Sequence, residues 1–224
     1  MCHVEHPDHE LLRAVVLQET ADPERVISRF LRYHEMLLRW NRRMNLISAA
    51  DESRIVARHF LESAGFLKLV PMQTGSHVLD IGTGAGFPGV PMKLIRQDLE
   101  MTLVDSRRKR ILFIEALVEA LALRQTNVIC SRIEALAADV CADIVVSRSV
   151  ADLCSLVKWS RPVLKSGGTI AVLKGSRVEN EIEQLRKEAD RLGVEQLEQV
   201  DFNPFPEIIH FDHRYGVLIK LNEA

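Results

Sequence analysis

The chain has 224 residues, with 29 Lys and Arg against 31 Asp and Glu and a formal net charge of −2 at pH 7. Hydrophobic residues make up 47% and charged residues 27%, the balance of a globular chain long enough for one α/β core with additional elements. This excludes a polycation that coats nucleic acid by charge alone, and no run of 18 apolar residues is present to cross a membrane.

Residues Met1-Cys2-His3-Val4-Glu5-His6-Pro7-Asp8 have neither the basic nor the apolar region of a signal peptide, so a cytoplasmic location is expected. Cys2, Cys130, Cys141 and Cys154 form no C-x-x-C pair; free thiols and no metal site are expected. Leu11, Leu12, Val15 and Val16 predict a short helix. Asp22-Pro23-Glu24 reads as an N-cap, a proline at the first helical position and an acid in the first turn. In the helix that follows, Val26, Phe30, Tyr33, Leu37 and Trp40 recur at steps of four and three, one apolar stripe. Asn41-Arg42-Arg43-Met44-Asn45 ends it. Ser48 and Asp51 predict a capping box for a further helix over about 51–70, with His59, Phe60, Ser63, Phe66 and Leu67 on one face. Residues 1–70 are therefore expected as a helical cap in front of a sheet formed by 71–224.

From there strands alternate with helical patterns. Strands are predicted at about 77–81, 100–105, 127–130, 143–147, 169–173, 194–201 and 206–221, and helices at about 107–123, 152–163 and 178–192. Such alternation predicts a seven-stranded, mostly parallel, Rossmann-like sheet with helices on both faces, its final hairpin placing one antiparallel strand.

The stretch Val78-Leu79-Asp80-Ile81-Gly82-Thr83-Gly84-Ala85-Gly86-Phe87-Pro88-Gly89 reads as strand, glycine loop and helix, the layout of a nucleotide-cofactor site. Gly84 to Gly89 fits the dinucleotide spacing, and Asp105 follows about 20 residues on. Asp80 favours the other ligand class, S-adenosylmethionine: a carboxylate beside the loop repels a pyrophosphate and attracts an ammonium and a sulfonium. Its alternative role is to cap the turn. By the rule that ligands lie outside the carboxyl ends of the strands, Gly82, Gly84 and Gly86 are expected beneath the methionine part and Phe87 at the loop exit. Asp105 has two oxygens for the ribose hydroxyls, its alternative role being to cap the helix that starts near Arg107, and Ile133 and Glu134 are placed to meet adenine, the alternative for Glu134 being a place in a helix first turn. After the fourth strand, Ser147-Arg148-Ser149 replaces the Asn/Asp-Pro-Pro-aromatic loop of amino-methylating enzymes, and no Pro-Cys nucleophile occurs there. Arg132, Arg148, Lys174 and Arg214 follow or flank strand ends and are candidates for holding phosphate and a purine edge, or for four unrelated ion pairs. Three further basic groups, Arg39/Arg42/Arg43, Arg54/Arg58 and Arg107–Arg110, count only if they converge.

With these segments in hand, the chain resembles the bacterial small-subunit ribosomal RNA guanine-N7 methyltransferases, once called glucose-inhibited division protein B. The resemblance rests on Trp40-Asn41 with Asn45-Leu46, His59 to Ser63, Asp80 to Gly89, Asp105-Ser106-Arg107, Ser131 to Glu134, Ser147 to Ala151 and Leu173-Lys174-Gly175. It implies a class I S-adenosylmethionine-dependent methyltransferase fold. It implies donor binding at Gly82, Phe87, Ile133, Glu134 and Arg148, and RNA or catalytic roles for Arg132, Lys174 and Arg214. The substrate implied is 16S rRNA in the small ribosomal subunit, at guanine 527 of the decoding region, with the enzyme acting as a monomer. Glu62 departs from the family, which usually has Asp there. The chemistry suits the residues, because guanine N7 has a free lone pair and no proton to lose, so positioning rather than a general base is needed. Two alternatives remain: a methyltransferase acting on another RNA, a small molecule or a protein, and a dinucleotide-binding oxidoreductase.

Overall fold

Seven strands form one sheet in the order β3-β2-β1-β4-β5-β7-β6 in the computed structural model, which describes residues 7–136 and 140–222. Strands β1 (His77–Ile81), β2 (Glu100–Asp105), β3 (Thr126–Cys130), β4 (Ala142–Arg148) and β5 (Leu164–Lys174) pair in parallel. β7 (Tyr215–Leu221) is inserted antiparallel between β5 and β6 (Val194–Asp201). The order reverses between β1 and β4, so the loops after those strands open a crevice at the carboxyl edge.

Alternation along the strands sorts side chains to two faces. Leu79, Ile81, Val104 and Val145 meet α7 (Leu153–Ser160) and α8 (Val178–Leu192) through Leu153, Leu156, Ile182 and Leu185. On the other face Val78, Met101 and Leu103 join α5 (Gly89–Ile95), α6 (Arg108–Ala120) and the N-terminal helices α1 (Pro7–Glu19) and α2 (Pro23–Met44). The stripe of α2 supplies Phe30, Tyr33 and Leu37, all fully buried, to the core that Phe113 of α6 also fills. The change at residue 70 is thus one of element type: the first seventy residues share a core with the sheet face. Asn41 fastens the end of α2. Its Nδ2 donates to Glu52 at 2.6 Å, its Oδ1 accepts from the Ile47 amide at 2.9 Å, and Asn45 closes the helix at φ 49°.

Four local expectations need correction. Asp22 precedes α2 without a side-chain capping bond, the proline alone fixing the start. The Ser48 hydroxyl donates to the Asp51 carboxylate at 2.7 Å, so the two satisfy each other instead of capping backbone amides. The single helix expected over 51–70 is a 3₁₀ turn at Ala49–Arg54, a π-helical turn at Ile55–Leu61, and the short helices α3 (Glu62–Ala64) and α4 (Phe66–Leu69). A π turn adds one residue per turn and rotates the face presented, here bringing both His59 and Phe60 inward. The last strand begins at Tyr215; residues 202–214 pack Phe202, Phe205 and Phe211 against the helical side of the core. Among the described residues no helix is long and apolar enough to cross a membrane.

Candidate functional site

The loop from Gly82 to Pro88 is held from three directions. The Gly82 and Thr83 amides donate to Val104 O of β2 at 2.8 and 2.9 Å. The Gly84 amide donates to Asp105 Oδ2 at 3.1 Å, and the Tyr33 hydroxyl, from α2, donates to Ala85 O at 2.5 Å. Two positions require glycine. At Gly82, φ is +72° and a Cβ would stand 2.6 Å from Val150; at Gly86, φ is +101° and a Cβ would stand 2.6 Å from the Tyr33 oxygen. Removing the Tyr33 hydroxyl (Tyr33→Phe) leaves a buried carbonyl unpaired. A loss of about 1–2 kcal/mol in a denaturant melt is expected, with weaker donor binding by calorimetry.

Over this loop lies a cavity of about 600 Å³, well within the range of small-molecule sites. Of the residues singled out in the sequence, Gly82, Gly84, Phe87, Asp105, Arg132, Ile133, Glu134 and Arg148 line it. Gly86 and Asp80 do not. Asp80 follows Val78 on the strand and so points to the α5 face, fully buried beneath the loop, where its Oδ2 accepts from the Gly89 amide at 2.9 Å. The turn-capping role is therefore real. Its other oxygen, Oδ1, has no hydrogen-bond partner among the described residues. Burial pushes the Asp80 carboxyl up to about 7, against the pull of the Gly89 amide, Thr83 and Arg148. Such a carboxyl is only partly compensated by positive charge. Asp105 closes the β2 side. Its Oδ1 accepts from the Arg107 amide at 2.8 Å and its Oδ2 from Arg110 at 3.0 Å.

A second cavity, about 290 Å³, adjoins the first; Asp51, His59, Arg148 and Ser149 line both. Arg58, Glu62, Lys174 and Arg214 complete its polar wall. Glu62 is the hub. It is 5% exposed, and its two oxygens take Arg148 Nη1 at 3.3 Å and Arg214 Nε at 2.8 Å. Arg148 also donates to Arg58 O at 2.9 Å and to His59 Nδ1 at 2.7 Å, and its guanidinium carbon lies 4.9 Å from the centre of the Phe87 ring. His59 stacks on the same ring at 4.8 Å and 15°. Burial, followed by the Arg148 charge, pushes the imidazole down to about 3, so it is neutral near pH 7. Arg148 can only donate, so Nδ1 is the acceptor and the proton sits on Nε2. Burial works to raise the Asp51 carboxyl, yet the Ser48 hydroxyl and Arg58, 2.9 Å away, hold it below its ordinary value.

The four basic residues expected to act together are divided. Arg148, Lys174 and Arg214 share the smaller cavity, while Arg132 is exposed on the wall of the larger one. Lys174 is held by Ala151 O and by Glu181 at 2.7 Å. The basic group at Arg107–Arg110 contributes Arg107 and Arg110 to the larger cavity, and Arg54/Arg58 contributes Arg58 to the smaller. The sequence reading assigned no site role to Tyr33, Asp51 or Trp159, which lines the larger cavity from α7. Tyr33 was visible only as a core residue, and nothing in the sequence marked Trp159. No group of three or more His, Cys, Asp or Glu among the described residues is arranged to hold a metal, and Cys2 lies outside them.

The family model described as rRNA small subunit methyltransferase G matches residues 26–206. A protein of that name from Roseiflexus castenholzii is 39% identical over 188 residues, covering 82% of this chain and 80% of its own. Another from Thermoanaerobacter sp. (strain X514) is 34% identical over 190 residues, covering 82% and 79%. Among solved structures, a putative S-adenosyl-L-methionine-dependent methyltransferase from Methanococcus maripaludis superposes with a TM-score of 0.57 at 14% identity, over 74% of this chain and 86% of that one. A SAM-dependent O-methyltransferase from Thermotoga maritima gives 0.57 at 15% identity, over 73% and 66%. At such identities the two structures speak for the fold alone.

Proposed function

The chain belongs to the rRNA small subunit methyltransferase G family, and on that premise we propose that it methylates guanine N7 in 16S rRNA of the small ribosomal subunit, at guanine 527. S-adenosylmethionine is the methyl donor, and the residues of the larger cavity fit it. Bare peptide at Gly82–Gly84 allows close approach. The only partly compensated Asp80 carboxyl beneath the loop suits a ligand bearing an ammonium and a sulfonium, and disfavours a pyrophosphate. Asp105 takes the ribose hydroxyls, sharing its oxygens with the Gly84 amide and Arg110. Ile133 and Glu134 meet adenine, and Phe87 with Arg148 forms the wall toward the acceptor.

The donor supplies a methyl group on positively charged sulfur: a bond forms from the N7 lone pair to that carbon, the carbon–sulfur bond breaks, and the positive charge passes to the purine. No proton moves. The observation that carries the assignment is that, among the described residues, the groups at the junction of the two cavities that could act as a base are already engaged. His59 has its acceptor nitrogen taken by Arg148, and the Asp51 carboxylate is engaged by Ser48 and Arg58, which make it a weaker base than an ordinary carboxylate. An acceptor that had to lose a proton would be poorly served here, whereas N7 needs only alignment. Arg148, Lys174 and Arg214 then serve to position rather than to exchange protons, and Arg132 reaches RNA from the rim.

The test is methyl transfer from labelled donor to small subunits of a strain lacking this modification. Label is expected in the RNA fraction. Label in ribosomal protein, or none with protein that binds the donor, would overturn the proposal.

A further inference from the structure

We infer that His59 reads the oxygen at position 6 of the target base, its Nε2–H donating to guanine O6 where the two cavities meet; this rests on the guanine reading above. His59 is 7% exposed, and Nε2 has no hydrogen-bond partner among the described residues. A buried N–H left unpaired costs about 1–3 kcal/mol, which a folded chain retains where a ligand satisfies it. Asp51 Oδ2 is 3.9 Å from Nε2, too far for a hydrogen bond. The ring cannot simply turn to find another partner. Phe87 stacks against its face and Arg148 fixes Nδ1.

The chemistry selects the occupant. Beside N7, guanine offers an acceptor at O6, whereas adenine offers an amino donor at the same place. A fixed N–H facing that place favours guanine and opposes adenine. A neutral donor also suits the reaction better than a guanidinium would, because the purine gains a positive charge as it is methylated. Burial above all, then the Arg148 charge, keeps the imidazole in that neutral form, with Arg58 adding to the effect and Asp51 opposing it. His59 is thus a residue that both positions the base and sets its identity.

Small subunits carrying guanine or adenine at the target position separate this from a structural role. For His59→Phe, which keeps a ring against Phe87 but has no N–H, kcat/KM on guanine is expected to fall about 100-fold. The guanine-to-adenine ratio is expected to fall at least tenfold, a change that loss of donor affinity alone would not produce. His59→Gln, whose amide places an N–H near the position of Nε2, should recover about tenfold of the guanine rate. A His59→Phe enzyme that keeps the wild-type base ratio, or that loses donor affinity in proportion to activity, would overturn the inference and leave His59 as a support for Phe87 and Arg148. Failure of wild-type enzyme on guanine subunits would instead overturn the guanine reading itself.

Discussion

Glu62→Ala is expected to destabilise the protein by about 3–5 kcal/mol and to reduce methyl transfer by at least two orders of magnitude. Glu62 is the carboxylate that pairs with both Arg148 and Arg214. Arg148 is largely buried, its side chain 13% exposed, and burial pulls its guanidinium below the ordinary value while Glu62 opposes that pull. Without Glu62, the guanidinium keeps only the Arg58 carbonyl and the His59 nitrogen, neither of which carries compensating charge. For a chain of this length the corresponding fall in Tm is roughly 10 °C. Glu62→Gln, which retains an acceptor but no charge, should lie between. Glu62→Asp restores the residue usual in the family but withdraws the carboxylate by one methylene, so it can reach one arginine well and the other poorly. A modest loss of activity with near-normal stability is expected. Thermal melts alongside kcat/KM check the series; a Glu62→Ala protein as stable as wild type would refute the hub role.

Asp80→Asn is expected to raise stability at pH 8 while weakening donor binding about 10- to 100-fold. The Asp80 carboxyl is pushed up from 3.8 to about 7, so the folded state holds its proton where the unfolded state has released it. Its contribution to stability therefore falls as pH rises from about 4 to about 7, by about 4 kcal/mol in all, and stays lost above that. Asparagine can still accept from the Gly89 amide and has no charge to bury. His59 has the opposite slope. Its folded-state value, near 3, lies below 6.5, so stability is lost as pH falls through that interval. In the wild type the two trends offset each other between pH 4 and 6.5; in Asp80→Asn the His59 slope stands alone. Denaturant melts across pH 4–8 read this directly. Donor affinity should move the other way in the wild type, tightening as pH rises through 7 and Asp80 ionises, and should lose that dependence in Asp80→Asn. Equal pH profiles for the two proteins would contradict the charge argument.

What was legible in the sequence was whatever repeats or is local. The apolar run ending in the glycine loop gave β1, the spacing of strands by helical patterns gave β2 and β6, all three to the residue, and the stripe on α2 gave its buried face. The glycine loop and the ends of β2 and β4 predicted most of the larger cavity. Local pattern predicted the buried face of residues 49–69, with His59, Phe60, Ser63 and Phe66 inward, but not its division into 3₁₀, π and short α turns, which leaves no mark on composition. It also set Asp80 beside the ligand when alternation turns it beneath the loop. The smaller cavity was hidden for another reason. Glu62 and Arg214 lie 152 residues apart, and Arg148 and His59 lie 89 apart, so no periodicity ties them together. Glu62 was conspicuous only as a departure from the family, and the structure supplies its physical sense: the longer side chain spans two arginines.

The most direct measurement is the chemical identity of the product. Small subunits lacking the modification are incubated with the protein and donor, and their 16S rRNA is digested to nucleosides and, in parallel, cleaved with borohydride and aniline, which cut beside 7-methylguanosine. N7 methylation predicts 7-methylguanosine as the labelled nucleoside and one new cut at a decoding-region guanine. Label in a base methylated at an amino group or a ring carbon would contradict it.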